Sequence, residues 1–99
     1  MQLTTATSLA TFCAGRFEEC TRLAEKVVRE MPTFLPAWRI MSAGYALSGL
    51  ADQANRAMMK VLELDPVARV SVVAPLLPLR RTEDREHYRE GLRRAGLPE

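Results

Sequence analysis

The chain has 99 residues, of which 47% are apolar and 26% are charged, and its net charge is +2. This size and composition suit one globular domain and exclude a disordered chain, which needs low hydrophobicity and high net charge. Residues 1–66 carry seven basic and seven acidic side chains, and residues 67–99 carry seven and five. The basic surplus therefore lies in the tail and is too small to indicate nucleic-acid binding by itself.

The two cysteines and the apolar stretches indicate the cellular compartment in which the protein resides. Cys13 and Cys20 form neither a disulfide framework nor a Cys-x-x-Cys motif, so we expect two buried free thiols, with a disulfide or a redox pair as open alternatives. The longest apolar stretch, residues 70–79, is too short for a membrane span, and the N-terminus lacks the features of a signal peptide. We therefore expect a cytoplasmic protein that makes no membrane contact.

Two helices are predicted before the first proline break. Residues 3–14 hold several threonines, whose β-branched side chains lower helix propensity, so we expect a helix that frays at its start. Gly15 supplies the turn, and residues 17–30 begin with acids, which favour a helix N-terminus, and stop before Pro32. Apolar or small residues of this second segment fall at helical spacing: Cys20, Leu23, Ala24, Val27 and Val28.

The next stretch of the chain has the same layout. Residues 36–48 start at Pro36, which suits a first helical turn, and end at Gly49, which tolerates a left-handed cap. Residues 51–64 follow as a second helix, and Pro66 stops it. The apolar positions of this pair are Trp38, Met41, Ala43, Tyr45, Ala46, Ala54, Ala57, Met58, Val61 and Leu62.

A third copy of this layout does not hold. Residues 69–74 can begin a helix, but Pro75 and Pro78 remove backbone donors and fix the chain, so an irregular segment is predicted. Arg80 and Arg81 are expected on this connecting loop.

A final amphipathic helix is predicted after the loop. Thr82 has the residue type of an N-cap, two acids follow in the first turn, and Gly96 ends the helix. Its apolar face carries Tyr88, Leu92 and Ala95.

A shift of 34 residues aligns the first pair of helices with the second. Glycine and proline punctuate both copies at the same points, which weighs more than the number of identities. The identical pairs are Ser8/Ser42, Gly15/Gly49, Arg22/Arg56, Lys26/Lys60, Val27/Val61 and Pro32/Pro66. A 34-residue helix–turn–helix period is that of the tetratricopeptide repeat, and residues 1–66 resemble this family.

The resemblance rests on the positions that define the repeat. They are Gly15, Ala24 and Pro32 in the first copy and Trp38, Tyr45, Gly49, Ala54 and Pro66 in the second. It implies an all-α, right-handed solenoid of antiparallel helix hairpins, in one domain of residues 1–99. We expect repeats at 1–34 and 35–68, a short helix and proline-rich loop at 69–81, and a capping helix and tail at 82–99.

The first repeat departs from the family where it holds threonine in place of larger apolar residues. Either this helix is the polar, solvent-facing end of the stack, or a preceding repeat is missing. The positions concerned are Thr4, Thr7 and Thr11.

The family resemblance also implies a binding groove. Stacked hairpins leave a concave face lined by the first helix of each repeat. Carried onto this chain, its principal partner-binding positions are Leu9, Phe12, Cys13, Arg39, Ile40, Ala43 and Leu47. Relatives that clamp a C-terminal carboxylate use Lys and Asn where this chain has Thr5, Leu9 and Ile40, so we expect an apolar segment as ligand instead. A second copy, or the chain's own tail, is an alternative occupant.

The tail gives two further indications. Residues 79–99 resemble the C-terminal ends of bacterial signalling proteins that join class III adenylate or guanylate cyclase domains to such repeats. Arg85, Arg89 and Arg93 form a stripe, but Glu86 and Glu90 run beside it, and mixed signs favour a solvated face over a phosphate contact.

The sequence predicts a non-catalytic protein-interaction scaffold. It shows no nucleophile–base pair, no phosphate-binding glycine loop and no metal-ligand cluster around its one histidine, His87, so we expect no enzyme activity, no cofactor and no metal. The expected partner is a protein or peptide. Self-association as a homodimer is the alternative, and a nucleic-acid contact through the arginine tail is a weaker one.

Overall fold

The computed structural model describes residues 2–77, 79 and 81–99, with side chains from Thr7 onward, and all regular structure in these residues is helical. The elements are α1 (Gln2–Cys13), α2 (Phe17–Glu30), α3 (Leu35–Leu47), α4 (Ala51–Leu64), α5 (Val70–Val73), a 3₁₀ turn (Ala74–Leu76) and α6 (Thr82–Ala95). The all-α prediction is confirmed, and the predicted ends of the four long helices before the proline-rich segment lie within a residue of the observed ones.

The backbone of the first helix pair recurs in the second at an offset of 34 residues. Helix α2 runs from Phe17 to Glu30 and α4 from Ala51 to Leu64, so both ends differ by 34. The backbone hydrogen bonds outside the helices recur in the same register: Ala14–Ala10 and Ser48–Gly44, Gly15–Phe12 and Gly49–Ala46, Arg16–Thr11 and Leu50–Tyr45, Met31–Val27 and Asp65–Val61, Phe34–Met31 and Ala68–Asp65, with the N–H donor named first.

Three glycines end helices in the left-handed conformation. Gly15, Gly49 and Gly96 have φ of 79°, 82° and 111°. In each case the glycine N–H and the next N–H bond back to carbonyls of the last helical turn, which is the Schellman arrangement. The glycine ends predicted from sequence are therefore confirmed, and the three-residue turns that follow α1 and α3 reverse the chain.

Helix α3 lies at the centre of the fold and packs against α2, α4 and α6. Small residues make these approaches close. A Cβ added at Gly44 would lie 2.8 Å from the Thr21 methyl of α2. The core therefore forms around α3, which contacts α4 in its own helix pair, α2 in the preceding pair, and the C-terminal helix α6.

The third unit is irregular, as the two prolines predicted. Helix α5 has four residues and continues only as the 3₁₀ turn that contains Pro75. The chain end returns to this unit, because Val70 N–H donates to the Pro98 carbonyl at 2.8 Å and Leu97 is buried. Pro78 and Arg80, which were expected on the loop, lie outside the described residues.

One local prediction needs correction, and one of the two alternatives for the first helix does not hold at Thr11. Arg81, not Thr82, occupies the N-cap of α6, and Thr82 is the first helical residue, whose hydroxyl accepts a hydrogen bond from Arg85. Thr11 is not solvent-facing: it is 7% exposed, and its hydroxyl donates to the Ser8 carbonyl one turn earlier. A hydroxyl bonded within its own helix can be buried at low cost.

Candidate functional site

The face formed by α1 and α3 is the candidate binding groove. Phe12, Ile40 and Ala43 lie in one apolar cluster and are at most 1% exposed, with Leu9 and Leu47 packed at its edge. The structure thus brings together most of the groove positions predicted from the sequence. The side chain of Thr5, at a predicted clamp position, lies outside the described residues.

Helix α6 fills this groove. The Tyr88 and Phe12 rings meet edge to face with centroids 5.9 Å apart, which joins α6 to α1. A Cβ added at Gly91 would lie 2.9 Å from the Ala43 carbonyl oxygen and 3.0 Å from its Cα, so α6 approaches the α3 backbone at the closest distance that glycine permits. Tyr88, Leu92 and Ala95 are each at most 1% exposed.

Polar contacts fix both ends of α6. At its C-terminus, the Asn55 side-chain amide of α4 donates to the Ala95 carbonyl at 2.8 Å, which satisfies a carbonyl left free at the helix end. At its N-terminus, the buried Asp84 carboxylate lies beside Cys13 of α1 and 3.6 Å from the Arg81 guanidinium. Helix α6 therefore spans the groove from the end of α1 to the start of α4.

The two thiols sit in different surroundings. Cys20 is buried, and burial raises the pKa of its thiol to about 11, with the neighbouring Ser8 and Thr11 hydroxyls as smaller opposing influences. Cys13 is only partly buried, which corrects the prediction of two buried thiols. Its thiol pKa is raised by burial and by the nearby Asp84 carboxylate. Both raised values mean that neither thiol is an activated nucleophile.

Two buried polar atoms near the contact between α3 and α6 have no hydrogen-bond partner in the part of the chain that the structure describes. Neither the Tyr88 hydroxyl nor Arg39 Nε has a hydrogen-bond partner among the described residues. Burial raises the pKa of the Tyr88 phenol well above its usual range, with the charge of Arg39 as a smaller opposing effect. Arg39, expected as the one charge of the groove, has its Nη2 atom 3.8 Å from an Asp65 carboxylate oxygen.

The outer face of α6 carries Arg93 and Arg94 in ion pairs with Glu90. Glu90 contacts Arg93 at 2.6 Å and Arg94 at 2.8 Å. Hydrogen bonds from Arg94 and Arg93 lower the pKa of the Glu90 carboxyl. This mixture of signs matches the solvated face that the sequence favoured.

A second apolar surface lies on the opposite side of α3. At 100° per residue, Trp38, Met41 and Tyr45 point away from the groove positions of the same helix. Together with Val28 of α2 and Ala57 of α4, they line an open depression of about 410 Å³. The sequence had assigned these aromatic and methionine positions to the repeat framework alone, and nothing in their spacing distinguishes a covered stripe from an open one.

Comparison of the chain with family models, curated proteins and solved structures finds no significant match. Within the described ranges, no three His, Cys, Asp or Glu side chains are grouped as metal ligands. None of the helices in the described part of the chain is long and apolar enough to cross a membrane.

Proposed function

We propose that the chain is a non-catalytic protein-interaction module of the tetratricopeptide-repeat type, whose concave groove binds an amphipathic helix. The observation that carries the proposal is the packing of α6 on α1 and α3. The 34-residue register of the two helix hairpins supports it. A surface that accepts one helix with its apolar face is suited to accept another of the same pattern.

The pattern of α6 defines the ligand helix. Its groove-facing residues follow the spacing i, i+3, i+4, i+7, at Tyr88, Gly91, Leu92 and Ala95. A ligand needs an aromatic residue against Phe12, a glycine or comparably small residue against Ala43, and a large aliphatic residue one position later. In this scheme α6 is an intramolecular competitor, so a partner helix must bind better than α6 does.

The unpartnered atoms support such an exchange. A buried polar group without a partner costs about 1–3 kcal/mol, and α6 leaves two of them, the Tyr88 hydroxyl and Arg39 Nε. A helix with phenylalanine in place of the tyrosine, or with an acid that reaches Arg39, avoids this cost.

The test uses the Gly91→Val chain and two labelled peptides of residues 82–99. Valine cannot fit against the Ala43 backbone, so α6 leaves the groove. The wild-type peptide is expected to bind this variant with shifts of the α1 and α3 amide NMR signals, and a peptide carrying Gly91→Val is expected not to bind. If the variant keeps α1–α4 folded and neither peptide binds, the groove is not a helix-binding site.

Self-association is the second candidate, and the connection before α6 favours it. The 3₁₀ turn with Pro75 and the irregular segment after it join α6 to the repeats, so α6 of one copy can fill the groove of another with the same contacts. Light scattering at micromolar concentration tests this, with a dimer expected and a monomer counting against it.

Two remaining proposals, a signalling role and nucleic-acid binding, have weaker support. The tail's resemblance alone supports a place at the C-terminal end of a bacterial signalling or regulatory protein. Nucleic-acid binding through the tail is disfavoured, because Arg81, Arg93 and Arg94 already form ion pairs with acids.

A further inference from the structure

The depression on the side of α3 opposite the groove has a fixed apolar floor. The Trp38 indole N–H donates to the Pro32 carbonyl at 2.8 Å, and the Tyr45 hydroxyl donates to the Glu25 carboxylate. The rings of Trp38 and Tyr45 are thus held in place while both residues stay partly exposed. A surface that is ordered before binding loses little conformational entropy when a ligand arrives.

The rim of the depression is basic. Three of its side chains are cations, Arg29, Arg56 and Lys60, and Glu25 is the one acid among the lining residues. Glu25 is already engaged by Tyr45 and by Arg29 at 3.2 Å. Lys60 contacts Glu63 at 2.7 Å, whereas no hydrogen bond or ion pair to Arg56 is found within the described part of the chain. Arg56 is therefore the rim cation whose charge is free for a ligand.

Size and charge together select the occupant. A volume of about 410 Å³ is at the lower end for ligand sites and is open to solvent, so it suits one large side chain rather than a whole helix. The free charge of Arg56 leaves a net positive rim, which selects a segment with acidic residues beside that anchor. A second copy of this chain does not supply such a segment, because its acids are interspersed with arginines and lysines.

We propose that this depression binds an acidic peptide segment through one large apolar side chain. The anchor packs on Trp38, Met41 and Tyr45, and a flanking carboxylate pairs with Arg56. This site is separate from the groove and goes beyond the function proposed above, because it needs no movement of α6.

Trp38 is the only tryptophan of the chain, so its fluorescence reports on this site directly. The probe is a seven-residue peptide with three acidic residues on each side of a central leucine. One control peptide has serine at the centre, and another replaces the acids by lysines. Titrated into the full chain at low salt, the acidic leucine peptide is expected to shift the Trp38 emission saturably, and added salt is expected to weaken it.

The 34-residue register supplies a matched pair of variants. Arg56→Glu is expected to weaken the peptide about fivefold to tenfold, because it reverses a charge on the rim. Arg22→Glu makes the same change at the equivalent position of α2, beside the α1–α2 turn, and is expected to leave affinity within about twofold, since Arg22 does not line the depression. Amide NMR shifts provide a second readout of both titrations.

Three results would overturn the proposal. The first is no change in Trp38 emission or in α3 amide signals up to about 1 mM peptide, which corresponds to negligible affinity. The second is equal binding of the serine or lysine control. The third is an equal loss of affinity in both arginine variants, which would indicate a general charge effect.

Discussion

The two sides of α3 are both apolar, yet α6 covers only the groove side, and the other side stays partly open between α2 and α4. On the groove side, Ala43 lets α6 approach through Gly91 until backbone meets backbone. On the other side, the larger Trp38 and Tyr45 side chains stay partly exposed, and their rings border an open depression between α2 and α4. The comparison teaches that residue size decides how closely an apolar stripe is covered, which hydrophobic periodicity alone does not indicate.

The largest expected effect comes from blocking the close approach. Gly91→Val puts a side chain against the Ala43 backbone, so α6 should detach and the free energy of unfolding should fall by about 3 kcal/mol or more. Urea denaturation measures the loss. Valine has a higher helix propensity than glycine, so propensity does not account for a loss in Gly91→Val. Glu86→Val places a valine on the exposed side of the same helix, and equal losses in the two variants would contradict the tight contact.

The next effect tests how much burial α6 contributes on the covered side. Leu92 is fully buried, and Leu92→Ala should cost about 2–5 kcal/mol through lost burial and a cavity. Leu76→Ala, at a residue that is 58% exposed, should cost less than about 0.5 kcal/mol. Thermal unfolding of both variants checks this, and a Leu92→Ala cost as small as that of Leu76→Ala would mean that α6 is not packed.

A smaller, opposite effect is expected at the unpartnered hydroxyl. Tyr88→Phe should stabilise the chain by about 1 kcal/mol, because it removes a buried hydroxyl without a partner and keeps the ring against Phe12. Tyr45→Phe is the contrasting variant on the open side: it loses the bond to Glu25 and should not stabilise.

The same residue predicts an alkaline pH dependence. Because burial raises the Tyr88 pKa in the folded chain, its contribution is fully present below the unfolded value of about 10 and is lost as pH rises toward the folded value. The stability advantage of Tyr88→Phe over the wild type should therefore grow above about pH 10. An advantage that stays constant from pH 8 to pH 11, about the range that brackets the phenol, would show that the hydroxyl is solvated.

The 34-residue register could be predicted because it depends on local chemistry, whereas contacts between residues distant in sequence could not. Gly15, Gly49 and Pro32 each act within a few residues, so helix ends and the 34-residue period follow from the sequence alone. The meeting of Gly91 with Ala43 joins residues 48 positions apart, and α6 could equally have been read as an end cap outside the groove.

Polar and open positions were harder to assign for related reasons. Thr11 resembled a solvent-facing residue because its hydroxyl is satisfied within its own helix, which residue type does not reveal. Thr82 had the right chemistry for an N-cap, but the chain turns one residue earlier, at Arg81. The depression depends on the small Ala57 opposite Trp38, a pairing that appears only when α3 and α4 are packed.

The most direct test of the account is a nuclear Overhauser measurement on a mixture of isotope-labelled and unlabelled chains. Contacts between the Ala43 methyl and Gly91, and between the Phe12 and Tyr88 rings, are expected within single chains and not between them. Absence of both contacts would contradict the filled groove, and contacts seen only between chains would contradict α6 as the intramolecular occupant.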